Sequence, residues 1–208
     1  MSIEKAEKHL MKVEPKFGAI IKKHGPCVLI DDERETNIYQ ALMRAILFQQ
    51  LSGKAASTIR GRLYDLFPGH ECPPHHELCN LTTEEFRAVG VSRQKAGYLQ
   101  DLATKAPTIP TPDELHELTD DEIIERLISI KGVGRWTVEM LLMFTFGRMD
   151  VLPVDDMGVQ EGFKRLFELD HRPKKKEMEA LAESWKPYRS VGSWYMWRLC
   201  DNKDGLNS

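Results

Sequence analysis

The feature that most constrains this chain is the period of its apolar residues, which is helical along nearly the whole length. Ile59, Leu63, Leu66 and Phe67 share one helix face, Ala96, Leu99, Leu102 and Ala103 a second, and Val159, Phe163, Leu166 and Phe167 a third; this spacing gives each helix one stripe to bury. No segment sustains a two-residue alternation between turn signals, so strands are few or absent. Thr82 with Glu85, and Thr119 with Glu122, predict capping boxes that open two more helices. Breaks fall at Gly25-Pro26, Pro68-Gly69, Cys72 to Pro74 and Pro107 to Pro112. With 208 residues and no internal repeat, the pattern predicts an all-α protein of about ten helices with short connections.

Charge narrows the partners. The chain carries 29 basic and 32 acidic side chains, a formal net charge of -3, which excludes binding of a polyanion by bulk charge and requires any nucleic-acid site to be local. Asp31, Asp32, Glu33 and Glu35 form one acidic run; Asp113, Glu114, Glu117, Asp120, Asp121 and Glu122 form another. Lys12, Lys16, Lys22 and Lys23, and then Arg172, Lys174, Lys175 and Lys176, form basic stretches. Each run taken alone reads as a solvated helix face. No apolar run reaches the roughly 20 residues of a membrane helix, and the charged N-terminus is unlike a signal peptide, which predicts a cytosolic protein. The four cysteines, Cys27, Cys72, Cys79 and Cys200, are then thiols. The cluster His70-x-Cys72-x-x-His75-His76-x-x-Cys79 has zinc-type ligands, but Pro73-Pro74 and irregular spacing favour a Pro-rich surface loop.

Two stretches carry chemistry. The first runs from Leu127 to Val138, with Lys131-Gly132-Val133-Gly134 at its centre and an apolar stripe on either side. It predicts two helices joined by a four-residue turn whose glycines allow conformations and close approach that a Cβ forbids. Amides exposed at such a hairpin can hold a phosphate without reading sequence; an ordinary αα-hairpin is the competing reading. The second stretch is Val151-Leu152-Pro153-Val154-Asp155-Asp156-Met157-Gly158-Val159. One acid at a helix start is explained as an N-cap, and two are more than a cap requires. A carboxylate beside apolar residues can stabilise a developing positive charge or orient a water.

At these motifs the chain resembles the helix-hairpin-helix DNA glycosylase superfamily, and within it the 3-methyladenine DNA glycosylase II branch, from about Tyr39 to Arg198. The resemblance implies a compact helical fold of two lobes with the active-site cleft between them. The central lobe spans about 45–145 and holds the hairpin at 127–138; the second combines the N-terminal segment with about 146–208. Asp156, 20 positions after Trp136, matches the family's catalytic aspartate, and Asp155 the less essential position before it. Gln49, Gln50, Leu51 and Ser52 lie in the segment that supplies the residue inserted into the duplex when a nucleotide is flipped, with Gln50 the wedge. Ser92 and Lys95 belong to a second backbone-contacting turn. Lys131, Gly132, Val133, Gly134, Arg135 and Thr137 form the DNA-binding hairpin, whose Ile130 and Val133 carbonyls are placed to hold a monovalent cation.

Purines methylated at N3 or N7 are cationic and stack well on indole faces, which gives Trp136 and Trp197, with Met140 between helices, the role of base pocket; core packing is the competing role for both tryptophans. Trp185, Trp194 and Tyr188 read as core. No iron-sulfur cluster is expected, because only Cys200 lies near the C-terminus, and no other cofactor or catalytic metal is implied. Trp136 occupies the position where bifunctional members carry a nucleophilic lysine, so the resemblance implies a monofunctional enzyme. The implied partner is double-stranded DNA with alkylated bases, and the implied protein is a cytoplasmic monomer, associated with the nucleoid in a bacterium or nuclear in a eukaryote. A glycosylase for mismatched or oxidised bases, or a non-catalytic binder of damaged DNA, is the alternative on the same scaffold.

Overall fold

A computed structural model describes residues 2–29 and 37–201 of the chain. The acidic run from Asp31 to Glu35 lies outside these residues. Thirteen α-helices are present among the described residues: α1 (Ile3–Val13), α2 (Lys16–His24), α3 (Ile38–Phe48), α4 (Gly53–Tyr64), α5 (His75–Leu78), α6 (Thr83–Ala88), α7 (Arg93–Lys105), α8 (Pro112–Glu117), α9 (Asp120–Leu127), α10 (Arg135–Met140), α11 (Met157–Leu166), α12 (Lys175–Leu181) and α13 (Arg189–Asp201). None of these residues is in a strand. The count exceeds the expected ten because helices such as α5 and α8 are only 4 and 6 residues long, too short to show a period. No helix among the described residues is long and apolar enough to cross a membrane.

Both expected capping boxes form, at Thr82–Glu85 and Thr119–Glu122, and a third appears at Thr111–Glu114. In each, a threonine hydroxyl and a glutamate satisfy amides that a helix start leaves unpaired. The basic stretches are engaged locally: Lys16 reaches Glu168, Arg172 reaches Glu161 and Lys175 reaches Glu179. No group of three metal-ligating side chains occurs among the described residues. The His70–Cys79 stretch instead contains the short α5 and buries Leu78.

Two compact units divide the chain, Met1–Arg34 with Glu139–Ser208, and Glu35–Val138. In the first, α11 and α13 pack closely at Gly162, where a Cβ would stand 2.6 Å from the Met196 Cα. Phe163 of α11 stacks on Trp185 with ring centroids 4.8 Å apart, and Phe17 meets the same indole edge-on at 5.1 Å, an aromatic centre that removes large apolar surfaces from water. Trp194 is buried as expected and Tyr188 is half-buried. In the second unit, Leu42, Leu63, Phe86, Leu99, Leu102 and Ile123 are completely buried, and the predicted α7 stripe faces the core; the predicted α4 stripe holds only in part, because α4 ends at Tyr64 and Leu66, beyond the helical period, is 43% exposed.

Candidate active site and nucleic-acid interface

The hairpin lies in the second unit. Helix α9 ends at Leu127 and α10 begins at Arg135, so the connection is residues 128–134 rather than a four-residue turn. It is longer because Leu127 and Ile130 each accept an amide three residues on, from Ile130 and Val133, both at 3.1 Å. Ile130 and Val133 are buried, while Lys131, Gly134 and Arg135 are exposed. Gly132 has φ of 80°, in the left-handed region where glycine is favoured. A Cβ there would enter the Tyr98 ring, 2.6 Å from its Cε2. Gly134 differs, since a Cβ would meet nothing within 4 Å.

Three side chains fix the turn. The Gln49 Nε2 donates to the Gly132 carbonyl at 2.8 Å. Asp101 accepts the Lys131 backbone N–H at 2.8 Å and the Lys105 ammonium at 2.8 Å, and Lys105 also donates to the Ser129 carbonyl at 2.6 Å. Burial pushes the Asp101 carboxyl up, but the hydrogen bonds from Lys105 and Lys131 and the charge of both ammonium groups outweigh it and hold the group below its ordinary value. Asp101 is therefore ionised at neutral pH, and its grip on the turn weakens only as pH falls through that lowered value. Arg135 pairs with Asp121 at 3.2 Å on the rim, and Thr137 is half-buried one turn into α10.

The α3–α4 turn is closed by the Leu51 N–H donating to the Phe48 carbonyl at 3.3 Å. Gln50 is exposed with φ of 56°, a conformation that costs a residue with a Cβ roughly 1–2 kcal/mol and is concentrated at functional positions. Leu51 beside it is 40% exposed. Ser52 and Ser92 are the N-caps of α4 and α7, their hydroxyls accepting from Ala55 and Lys95. The Lys95 ammonium donates to the Leu47 and Gln49 carbonyls at 2.7 and 2.8 Å. Those carbonyls are the orphans of the α3 C-terminus, and burial lowers the lysine's pKa. Gln49 likewise braces the hairpin from within the protein. Gln50 remains the wedge candidate. Gln50→Ala is expected to cut single-turnover excision more than it weakens nonspecific DNA binding; an unchanged rate would move the wedge to Leu51.

In the first unit, Asp156 is the N-cap of α11. Its Oδ1 accepts the Val159 N–H at 2.8 Å and the indole Nε1–H of Trp197, also at 2.8 Å. The carboxylate thus sits at the positive end of the α11 dipole, half-buried, whereas Asp155 is exposed. Trp197 is tied to the carboxylate through its N–H and faces Phe144, centroids 5.7 Å apart and planes tilted by 31°. Phe144 was not legible as a site residue. It lies on the π-helical turn Leu141–Thr145 that follows α10, where the Phe146 N–H reaches back five residues to the Leu141 carbonyl at 2.9 Å. Such widened turns recur at functional sites, and no hydrophobic period announces them. Met140, where the turn begins, is half-buried. Trp136 lies in the other unit with 49% of its surface exposed, which argues against core packing for it.

Comparison with known proteins bears on the family and the fold. The model of the HhH-GPD superfamily of base excision DNA repair proteins matches residues 43–187. The DNA-3-methyladenine glycosylase 1 of Schizosaccharomyces pombe is 36% identical over 199 residues, covering 95% of this chain and 87% of that protein. The alkylbase DNA glycosidase-like protein mag2 of the same yeast is 33% identical over 199 residues, covering 94% and 93%. The solved structure of the S. pombe 3-methyladenine DNA glycosylase Mag1 in complex with abasic DNA superposes with a TM-score of 0.80 at 35% identity, over 96% of this chain and 98% of that one. With its hairpin and its capping aspartate inside the matched span, this chain belongs to the HhH-GPD superfamily of base excision DNA repair proteins.

Proposed function

We propose that this protein is a monofunctional DNA glycosylase of base excision repair that hydrolyses the N-glycosidic bond of alkylated, cationic purines such as 3-methyladenine and 7-methylguanine. The observation that carries the reading is the Asp156 carboxylate, fixed by the Val159 N–H and the Trp197 indole. Exposed hairpin amides hold the phosphates of one strand without regard to sequence. Gln50 fills the gap left by the flipped nucleotide, whose unstacking costs a few kcal/mol and least for a damaged base. The exposed indole of Trp136 and the Trp197–Phe144 pair offer electron-rich faces that favour a cationic ring over a neutral one. As the bond breaks, its electron pair leaves with the base, which departs neutral. Positive charge grows on the sugar, and Asp156 stabilises it or orients the water that adds to C1′. An abasic site remains in an intact strand.

Methylated genomic DNA incubated with the protein is expected to release free 3-methyladenine and 7-methylguanine, resolved by chromatography. Duplex binding without base release would overturn the reading in favour of a non-catalytic binder, and release of only oxidised or mismatched bases in favour of the second alternative.

The strand should stay intact after the base has gone. A lyase needs an amine that attacks C1′, and the family position for it holds Trp136. Lys131 is held in the turn by its backbone N–H to Asp101, with its exposed Nζ 4.0 Å from the Asp101 Oδ1. Borohydride added during turnover is expected to trap no protein-DNA adduct; an adduct lost on Lys131→Ala would show that the turn lysine reaches the sugar.

A further inference from the structure

Helices α3 and α4 bring two arginines to one aromatic ring. The Arg44 guanidinium carbon lies 5.2 Å from the centroid of Phe48, and that of Arg60 lies 6.0 Å from the same ring and 5.9 Å from the Tyr64 ring. Arg44 is exposed, and Arg60 and Phe48 are half-exposed. Among the described residues neither guanidinium has a carboxylate partner, as is also true of Arg62, Arg87 and Arg93, but only these two converge on one ring. In a chain with more acids than bases, two like charges that converge on one ring, with no counter-charge among the described residues, favour an anion there. A guanidinium held over a ring by its charge keeps its N–H donors, the fork that matches a phosphate. Phe48 also ends α3, and its carbonyl closes the turn that carries Gln50.

We propose that Arg44 and Arg60, both braced on Phe48, grip the DNA backbone phosphates beside the Gln50 turn, a second phosphate contact separate from the hairpin. This rests on the reading above that the protein works on DNA. The clamp anchors the strand on the flank where the wedge enters, so that a nucleotide rotating out does not lift the duplex off the protein.

The test is the salt dependence of affinity for an undamaged and an abasic-site duplex, with thermal melting of each variant to check its fold. Each phosphate contact adds about 0.9 to the slope of log K against log salt. Arg44→Gln with Arg60→Gln should lower that slope by about 0.9 if the pair shares one phosphate and by about 1.8 if each holds its own. Affinity for both duplexes should drop about tenfold or more, as loss of charge-assisted hydrogen bonds implies. Arg44→Lys with Arg60→Lys should keep the slope and lose part of the affinity, because the charge stays and the fork goes. Phe48→Leu should do the same by removing the brace. An unchanged slope in the folded Gln double variant overturns the clamp. If the wild type binds duplex yet releases no base, the glycosylase reading falls and the slope still judges the clamp; if base is released and the slope is unchanged, the clamp alone falls.

Discussion

Asp156→Asn is expected to lower single-turnover base release by about 10²–10⁴-fold while leaving the fold and the affinity for abasic-site DNA intact. The substitution is well matched to the geometry. Asparagine keeps an Oδ1 that can accept both the Val159 N–H and the Trp197 Nε1–H, so the cap of α11 and the indole orientation survive and only the charge is lost. Asp156→Ala would add the loss of a cap, about 1 kcal/mol of stability, and confuse the two effects. Asp155→Asn should be much milder, because that side chain is exposed and caps no helix. Excision surviving in Asp156→Asn at more than a few per cent of the wild-type rate would sink the assignment. Comparable losses at both positions would show that net charge rather than one placed carboxylate matters.

The two hairpin glycines are expected to behave differently. Gly132→Ala should destabilise the protein by about 2–4 kcal/mol, combining a left-handed backbone with a methyl group forced into the Tyr98 ring. It should also release the carbonyl that Gln49 holds. Gly134→Ala should leave the melting temperature within a few degrees, since its Cβ meets nothing, and should weaken binding to damaged and intact duplexes alike, because the proposed function brings a phosphate into the space it fills. Melting curves and duplex titrations of the two variants separate these roles. A Gly132→Ala protein as stable as the wild type would show that the turn relaxes around Tyr98, and a Gly134→Ala protein with full affinity would place the phosphate elsewhere.

Several interactions were written in short spans of sequence. The capping boxes at Thr82 and Thr119 are pairs three residues apart, and both form. The stripes of α7 and α11 bury Ala96, Leu99, Leu102, Val159, Phe163 and Leu166 as their period requires. Asp156 was legible as an acid at a helix start, and it is the N-cap.

The intramolecular partners of Gln49 and Lys95 are not legible in the sequence, for a physical reason. Both lie in polar turns next to DNA-contacting motifs, where an amide or an ammonium group reads as a ligand for phosphate. Whether such a group faces a phosphate or an orphan carbonyl depends on chain that is distant in sequence. Lys95 meets the end of α3, 46 residues from Gln49, and Gln49 meets the hairpin 83 residues on. Asp101 is a similar case: its i+4 partner Lys105 is local, while the Lys131 amide it anchors is 30 residues away.

By itself the sequence determined the all-helical class, the buried faces of α7 and α11, the start of α11 at Asp156 and the hairpin with its glycines, because helix periods, caps and left-handed turns are set by residues within a few positions of one another. Only the tertiary structure decided that Trp197 orients the carboxylate, that Phe144 stands against it on a π-helical turn, that Gly132 is closed off by Tyr98, and that two arginines share Phe48. Those are contacts between elements, and their partners are chosen by how the cores pack rather than by any local spacing.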